Sequence, residues 1–239
     1  MNDRVWVLAK RELSSFFFSP VAYVVMSVFL VISGVIFANE IFVPGREAQM
    51  RALFDWQAFM LVFFLPALTM RLISEELKSG TIETLMTAPI KDWEVIAGKF
   101  MGTWLFYLGM LATTLLYAVL LLIYGQADVG QIATGYLGLA LLGGLYIAVG
   151  MLMSSLTQHQ VISAFLSILV LATLTFLLFR ITHYVSTKWQ DILRSLNLYE
   201  RFSDFSAGLI DIQAVVFFVS ITAGILFAAV KVLESRRWR

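Results

Sequence analysis

Between Asp128 and Arg180 the chain runs for about fifty residues without a single charge. A helix crosses the hydrocarbon of a bilayer in about 20 mostly apolar residues, so this stretch holds two crossings. The polar patch SSLTQHQ, Ser154 to Gln160, marks the point where it folds back. The same test finds four more crossings elsewhere. The six predicted cores are Val21 to Phe42, Trp56 to Ile73, Ile96 to Ile123, Ile132 to Met153, Val161 to Phe179 and Ile212 to Val230. With 60% apolar and 14% charged residues, the chain lies outside the roughly 45–50% and 25% of soluble domains. The fold class that follows is all-α, a polytopic membrane protein of six transmembrane helices forming one transmembrane domain over residues 1–239.

An even number of spans puts both termini on one side. That side carries Arg4, Lys10, Arg11, Arg71, Lys78, Lys91, Lys99, Lys231, Arg236, Arg237 and Arg239. Opposite lie Arg46, Arg51, Arg180, Lys188, Arg194 and Arg201. Positive loops resist translocation, so the termini are assigned to the cytoplasm. Seventeen basic against sixteen acidic residues give no electrostatic footprint for nucleic acid. The absence of cysteine excludes disulfides and thiolate metal sites. Met1 to Phe18 has no small-residue cleavage site and is read as retained.

Three segments outside the spans have patterns of their own. In Met1 to Phe18, Val5, Ala9, Leu13 and Phe16 recur about one turn apart, which fits an interfacial helix leading into the first span. In the outer loop from Arg180 to Asp211, Leu198, Tyr199, Phe202, Phe205 and Leu209 recur at helical spacing and predict an amphipathic helix on or in the membrane surface. Between spans two and three, Ser74 to Ile90 reads SEELKSGTIETLMTAPI. There Ile82, Leu85, Met86 and Pro89 form one apolar stripe at i, i+3, i+4 and i+7, with Glu83, Thr84 and Thr87 turned away. Ser79, Gly80 and Thr81 suit a helix start, and Pro89 restricts Ala88 and stops it. The result is a short helix over Ile82 to Ala88, placed to pass a push from a cytosolic partner into the membrane.

The chemistry-bearing motifs of other classes are missing. No GxxxxGK[ST] occurs, and the Gly98-Lys99 pair lacks both the earlier glycine and a following Ser or Thr, so the chain has no P-loop of its own. His159 and His183 stand apart, and neither HExxH nor GxSxG is present. No ionisable residue lies in the central part of any span, which weighs against an ion-coupled carrier and favours neither a small cation nor an anion as cargo. Gly135, Gly138, Gly143, Gly144 and Gly150 crowd span four, and Ala140, Gly144 and Ala148 make a small-xxx-small stripe suited to close helix approach, either between subunits or within one. Pro66 removes a backbone hydrogen bond from span two and bends it.

The stretch EELKSGTIETLMTAPIKDWEVIAGKF resembles the signature of ABC-2 type transporter permeases. It is most similar to the short six-span permeases of the gliding-motility-associated and copper-enzyme-maturation (nitrous-oxide-reductase accessory) group. KRELSSFFFSPVAYV, YERFSDFSAGLID and ESRRWR fit the same group, so the resemblance covers nearly the whole chain. It implies that the helix between spans two and three is a coupling helix seated in a groove of a separate ATP-binding subunit. Glu75, Glu76, Gly80, Thr81, Ile82, Glu83, Thr84, Leu85, Met86 and Pro89 would then face or shape that contact. The implied partners are a cytosolic ATPase dimer, which would hold the ATP and magnesium, a second permease subunit, and an extracytoplasmic accessory protein. The implied setting is a prokaryotic inner membrane. Two other classes remain open from the residues alone: a non-transporting membrane scaffold, and an ATP-independent carrier.

Overall fold

A computed structural model describes residues 3–42, 49–81, 91–125, 127–177 and 197–236. Among these residues the chain is helical, without strands. The helices are α1 (Asp3–Phe17), α2 (Pro20–Ile36), α3 (Arg51–Thr69), α4 (Ser74–Ser79), α5 (Asp92–Tyr124), α6 (Val129–Leu156), α7 (Gln160–Ala172), α8 (Leu198–Ser206) and α9 (Ile212–Arg236). Helices α2 and α7 each run on into a five-residue π-helical turn, Phe37–Ile41 and Thr173–Leu177.

Six helical stretches, Pro20–Ile41, Arg51–Ser79, Asp92–Tyr124, Val129–Leu156, Gln160–Leu177 and Ile212–Ser235, are long and apolar enough to cross a membrane. The shortest has 18 residues, roughly 27 Å at 1.5 Å per residue, close to the thickness of the hydrocarbon. Each coincides with one predicted span. Lipid offers no partner for backbone N–H and C=O groups, which is why these stretches are helical, apart from the turn over residues 70–73 between α3 and α4.

The bundle is built around α3 and α6. In α6, 72% of the apolar window is buried against the rest of the chain, and in α3 67%, against 28%, 22% and 17% for the windows of α2, α7 and α9. The last three therefore turn most of their apolar surface outward, Val24, Val31, Phe165 and Phe227 among it. Small residues put α6 in the middle. A side chain added at Gly135 would run into the Phe54 ring, one at Gly143 into Tyr107, and one at Gly150 into Thr69. At Gly138 a Cβ would come within 2.6 Å of Phe205 Cβ. Each close approach is to another helix of the same chain. Gly144 differs, because the nearest atoms an added Cβ would meet are Trp104 Nε1 at 3.3 Å and Phe100 Cζ at 3.9 Å. Of the other two residues in the small-xxx-small stripe, Ala148 is fully buried and Ala140 half-buried.

Buried aromatic side chains satisfy their polar tips on carbonyls and hydroxyls of neighbouring spans, as water is not at hand. The Tyr107 hydroxyl donates to Leu139 O at 2.7 Å, Tyr117 to Leu30 O at 2.9 Å, and Tyr146 pairs with the Thr175 hydroxyl at 2.9 Å.

The outer amphipathic helix is α8, shorter than its apolar pattern. Asn197 caps it, its side chain accepting from the backbone N–H of Tyr199 and Glu200. Leu198, Phe202 and Phe205 are buried, with Phe205 seated on Gly138 of α6. Gly208, at φ +94, turns the chain away before Leu209, which is exposed. The helix is tied to the spans by Gln131 Nε2, which donates to Ser206 O at 3.1 Å, and by Arg51 Nη2, which donates to Ser203 Oγ at 3.3 Å. Burial, and then the charge of Asp55, hold the Tyr199 hydroxyl above its ordinary pKa.

Candidate functional site

The segment after span two is fixed in place before it leaves the bundle. α3 ends at Thr69, and the chain turns through Met70–Ile73 into α4. Ser154, fully buried near the end of α6, holds this corner. Its hydroxyl accepts from Ile73 N at 3.1 Å and Ser74 N at 3.0 Å, and lies 3.1 Å from Met70 O, to which it donates. The Ser74 hydroxyl also donates back to Met70 O. Three backbone groups that no helix would satisfy are thus met by one side chain. Ser154→Ala would leave Ile73 N and Ser74 N unpaired in a buried corner, while Met70 O keeps the Ser74 hydroxyl, at about 1–3 kcal/mol for each stranded group. A loss of about 3 kcal/mol in detergent-solubilised stability, read by thermal unfolding, is the expected outcome; an unchanged midpoint would mean that the corner holds without it.

A second tether runs from the corner to the junction of α1 and α2. Arg71 Nη1 donates to Ser19 Oγ at 2.7 Å, and its guanidinium lies 5.4 Å from the centre of the Phe16 ring. Phe16 in turn stacks on Phe106 of α5 with ring centres 4.8 Å apart.

The third tether is ionic. Lys99 of α5 places its Nζ 2.8 Å from Glu76 Oε1 of α4 and 3.1 Å from Glu12 Oε2 of α1. The three side chains are 9%, 20% and 17% exposed, so the cluster is largely shielded from solvent. Lys99 can reach both carboxylates because α1 lies directly on α5. A Cβ at Gly98 would sit 2.5 Å from Leu8 Cβ, and one at Gly102 would sit 2.6 Å from Ala9 O and 2.8 Å from Glu12 Cβ. Val5, Ala9 and Phe16 of the predicted α1 stripe are buried, Leu13 is half-buried and packs on the core, and all four belong to this contact side. Trp6, Val7, Phe17 and Phe18 are exposed, leaving α1 an apolar surface of its own for the interface. The start of α5 is closed by the Glu94 carboxylate, whose Oε2 accepts from Lys91 N at 2.9 Å.

Of the residues implied as a coupling contact, Glu75, Glu76, Gly80 and Thr81 are described. Glu75, Gly80 and Thr81 are exposed at the end of the bundle, whereas Glu76 points its carboxylate back to Lys99. Gly80, at φ +72, takes the left-handed conformation that ends α4, so Ser79 and Gly80 close a helix that the pattern had not set apart. The Ser79 hydroxyl donates to Glu75 O at 2.8 Å and pairs with the Thr81 hydroxyl at 2.8 Å. Ile82, Glu83, Thr84, Leu85, Met86 and Pro89 lie outside the described residues.

Sequence reasoning missed Lys99, Glu12, Ser154, Arg71, Gly98 and Gly102. The glycines carry a signal that was there to be read, a GKFMG run with the four-residue spacing of a close helix contact. The others have no signal in one sequence, because their partners are 23 to 87 residues away.

A second feature lies within the bundle. Phe100, Met101 and Trp104 of α5, Ala140 and Gly144 of α6, and the Phe218–Leu226 face of α9 line an open, almost wholly apolar groove of about 310 Å³. The Trp104 indole N–H does not open into it unpaired, since it donates to Ala140 O at 3.1 Å.

A family model described as ABC-2 family transporter protein matches residues 14–161, which take in spans one to four and the whole of the α3–α4 corner. Comparison with curated proteins gives no match.

Proposed function

The chain belongs to the ABC-2 family of transporter proteins, and from that premise we propose that it is the permease subunit of an ATP-driven transporter whose ATP-hydrolysing subunit is a separate chain. The observation that carries this reading is the α3–α4 corner. It is a polar segment at the end of a span, tied to α6, to the α1–α2 junction and to α5, with Glu75, Lys78, Ser79, Gly80 and Thr81 exposed beyond it. A segment tied at three points transmits displacement to the helices that hold it, whereas a slack loop would absorb it. The partner would engage the run from Glu75 to Pro89, through Glu75, Gly80, Thr81, Ile82, Glu83, Thr84, Leu85 and Met86, while Glu76, turned back to Lys99, stands outside that contact.

The basic residues that gather with the termini favour the cytoplasm for this end, and the sequence likeness favours a prokaryotic inner membrane. A second permease subunit would cover part of the outward apolar surface of α2, α7 or α9. The sequence likeness favours the gliding-motility-associated and copper-enzyme-maturation group, within which the cargo is open. Mechanical work and solute movement both fit this reading.

The test is a detergent pull-down of the tagged chain from its native membrane, followed by mass spectrometry and an ATPase assay, with and without Leu85→Arg. Recovery of a P-loop ATPase that the variant loses is the expected result. A chain that comes out alone, or with non-ATPase proteins only, overturns the permease reading in favour of a scaffold.

A further inference from the structure

The three members of the Lys99 cluster are not equivalent. Glu12, Lys99 and Glu76 together carry one negative charge more than neutrality requires. If Glu76 leaves, Lys99 and Glu12 remain as a neutral pair at 3.1 Å, lying along an α1–α5 contact already closed by Gly98 and Gly102. If Lys99 leaves, two carboxylates are stranded in a shielded site. Glu76 is therefore the arm that can be released at low cost, while Glu12 and Lys99 stay together. Its position on α4 suits release. Ser74, two residues before it, is pinned by Ser154, and Gly80, four residues after it, ends the helix in a left-handed turn. A pull beyond Gly80 acts on a short helix anchored at its start and latched midway.

We propose that Glu76 is a releasable latch, an ionic catch on Lys99 that fixes α4 to the joined α1–α5 unit in one stage of the transport cycle and lets go in another. Glu76 is thus a positioning residue for coupling, acting through Lys99. Buried ionic groups are best attested in such roles of registry and switching, their net contribution to stability being small. The inference rests on the permease reading. It adds that the push from the ATPase reaches α1 and α5 through one breakable ion pair rather than through the α3–α4 backbone alone.

The experiment uses the complex of the full chain with the P-loop ATPase recovered from the native membrane, and compares unmodified chain, Glu76→Gln and Lys99→Arg. The readouts are complex yield, the KM for ATP, and the factor by which the permease alters kcat. Glu76→Gln is expected to form the complex in normal yield with an unchanged KM, while that factor falls about tenfold, within the usual range of coupling strengths. Lys99→Arg, which keeps the charge, should retain most of it. Full coupling in Glu76→Gln overturns the latch and leaves the permease reading standing. Loss of the complex in Glu76→Gln also overturns it, since Glu76 would then be a docking residue. If no P-loop ATPase accompanies the unmodified chain, the permease reading falls and the latch with it.

Discussion

A Gly102→Leu chain should still insert its six spans but lose its docked N-terminal helix. At this position an added Cβ stands 2.6 Å from a backbone oxygen, Ala9 O, and 2.8 Å from Glu12 Cβ, so no rotamer change can make room. Helix α1 must lift, and Val5, Ala9 and Phe16, now buried, come out with it. Overpacking of this kind costs about 1–3 kcal/mol even where the structure can adjust, and leucine carries three carbons beyond the one that already collides. The native chain has no cysteine, so a single Val5→Cys gives a probe without background. Val5 is 7% exposed, and a maleimide should label the cysteine slowly in the parent and rapidly in the Gly102→Leu form. Equal labelling in both would mean that α1 does not depend on the glycine contact.

The second large effect is expected at Lys99. Methionine there preserves the length and much of the packing of the side chain but removes the cation from between two carboxylates. Breaking a buried pair by deleting one partner costs about 3–5 kcal/mol, and the lower figure applies because Glu12 and Glu76 each keep some contact with solvent. For a chain of this length about 3 kcal/mol corresponds to a fall of about 10 °C in the unfolding midpoint. Adding Glu12→Gln and Glu76→Gln to Lys99→Met should recover most of the loss, since a neutral site no longer strands a charge. A Lys99→Met midpoint equal to the parent would show that the cluster is solvated enough to be indifferent to its centre.

The spans were legible because a bilayer reads only length and polarity, and the uncharged run after Asp128 leaves one way to fold. The apolar stripe of α1 was legible too, but not what covers it. Amphipathicity says that one face must be buried, and here α5 covers it through Gly98 and Gly102, whose neighbour Lys99 had drawn notice as one of the basic residues beside the termini and in a failed P-loop match. Ser154 stood in a run that marked where two spans part. Its use, capping a corner 80 residues earlier in the chain, depends on tertiary contact that no local pattern encodes. α4 escaped notice for a related reason, as six residues are too few to show a period. The predicted helix from Ile82 to Ala88 lies outside the described residues.

The glycines of α6 have a consequence for how such a chain can vary through descent. Each of Gly135, Gly138, Gly143 and Gly150 is the hollow for a particular side chain elsewhere in the sequence: Phe54, Phe205, Tyr107 and Thr69. A larger residue in any one hollow is a lesion that a smaller residue at its own counterpart can repair and that the other three counterparts cannot. Compensating changes are therefore confined to matched pairs, and in a lineage that loses one of these glycines the bulky partner is the position that must change alongside it.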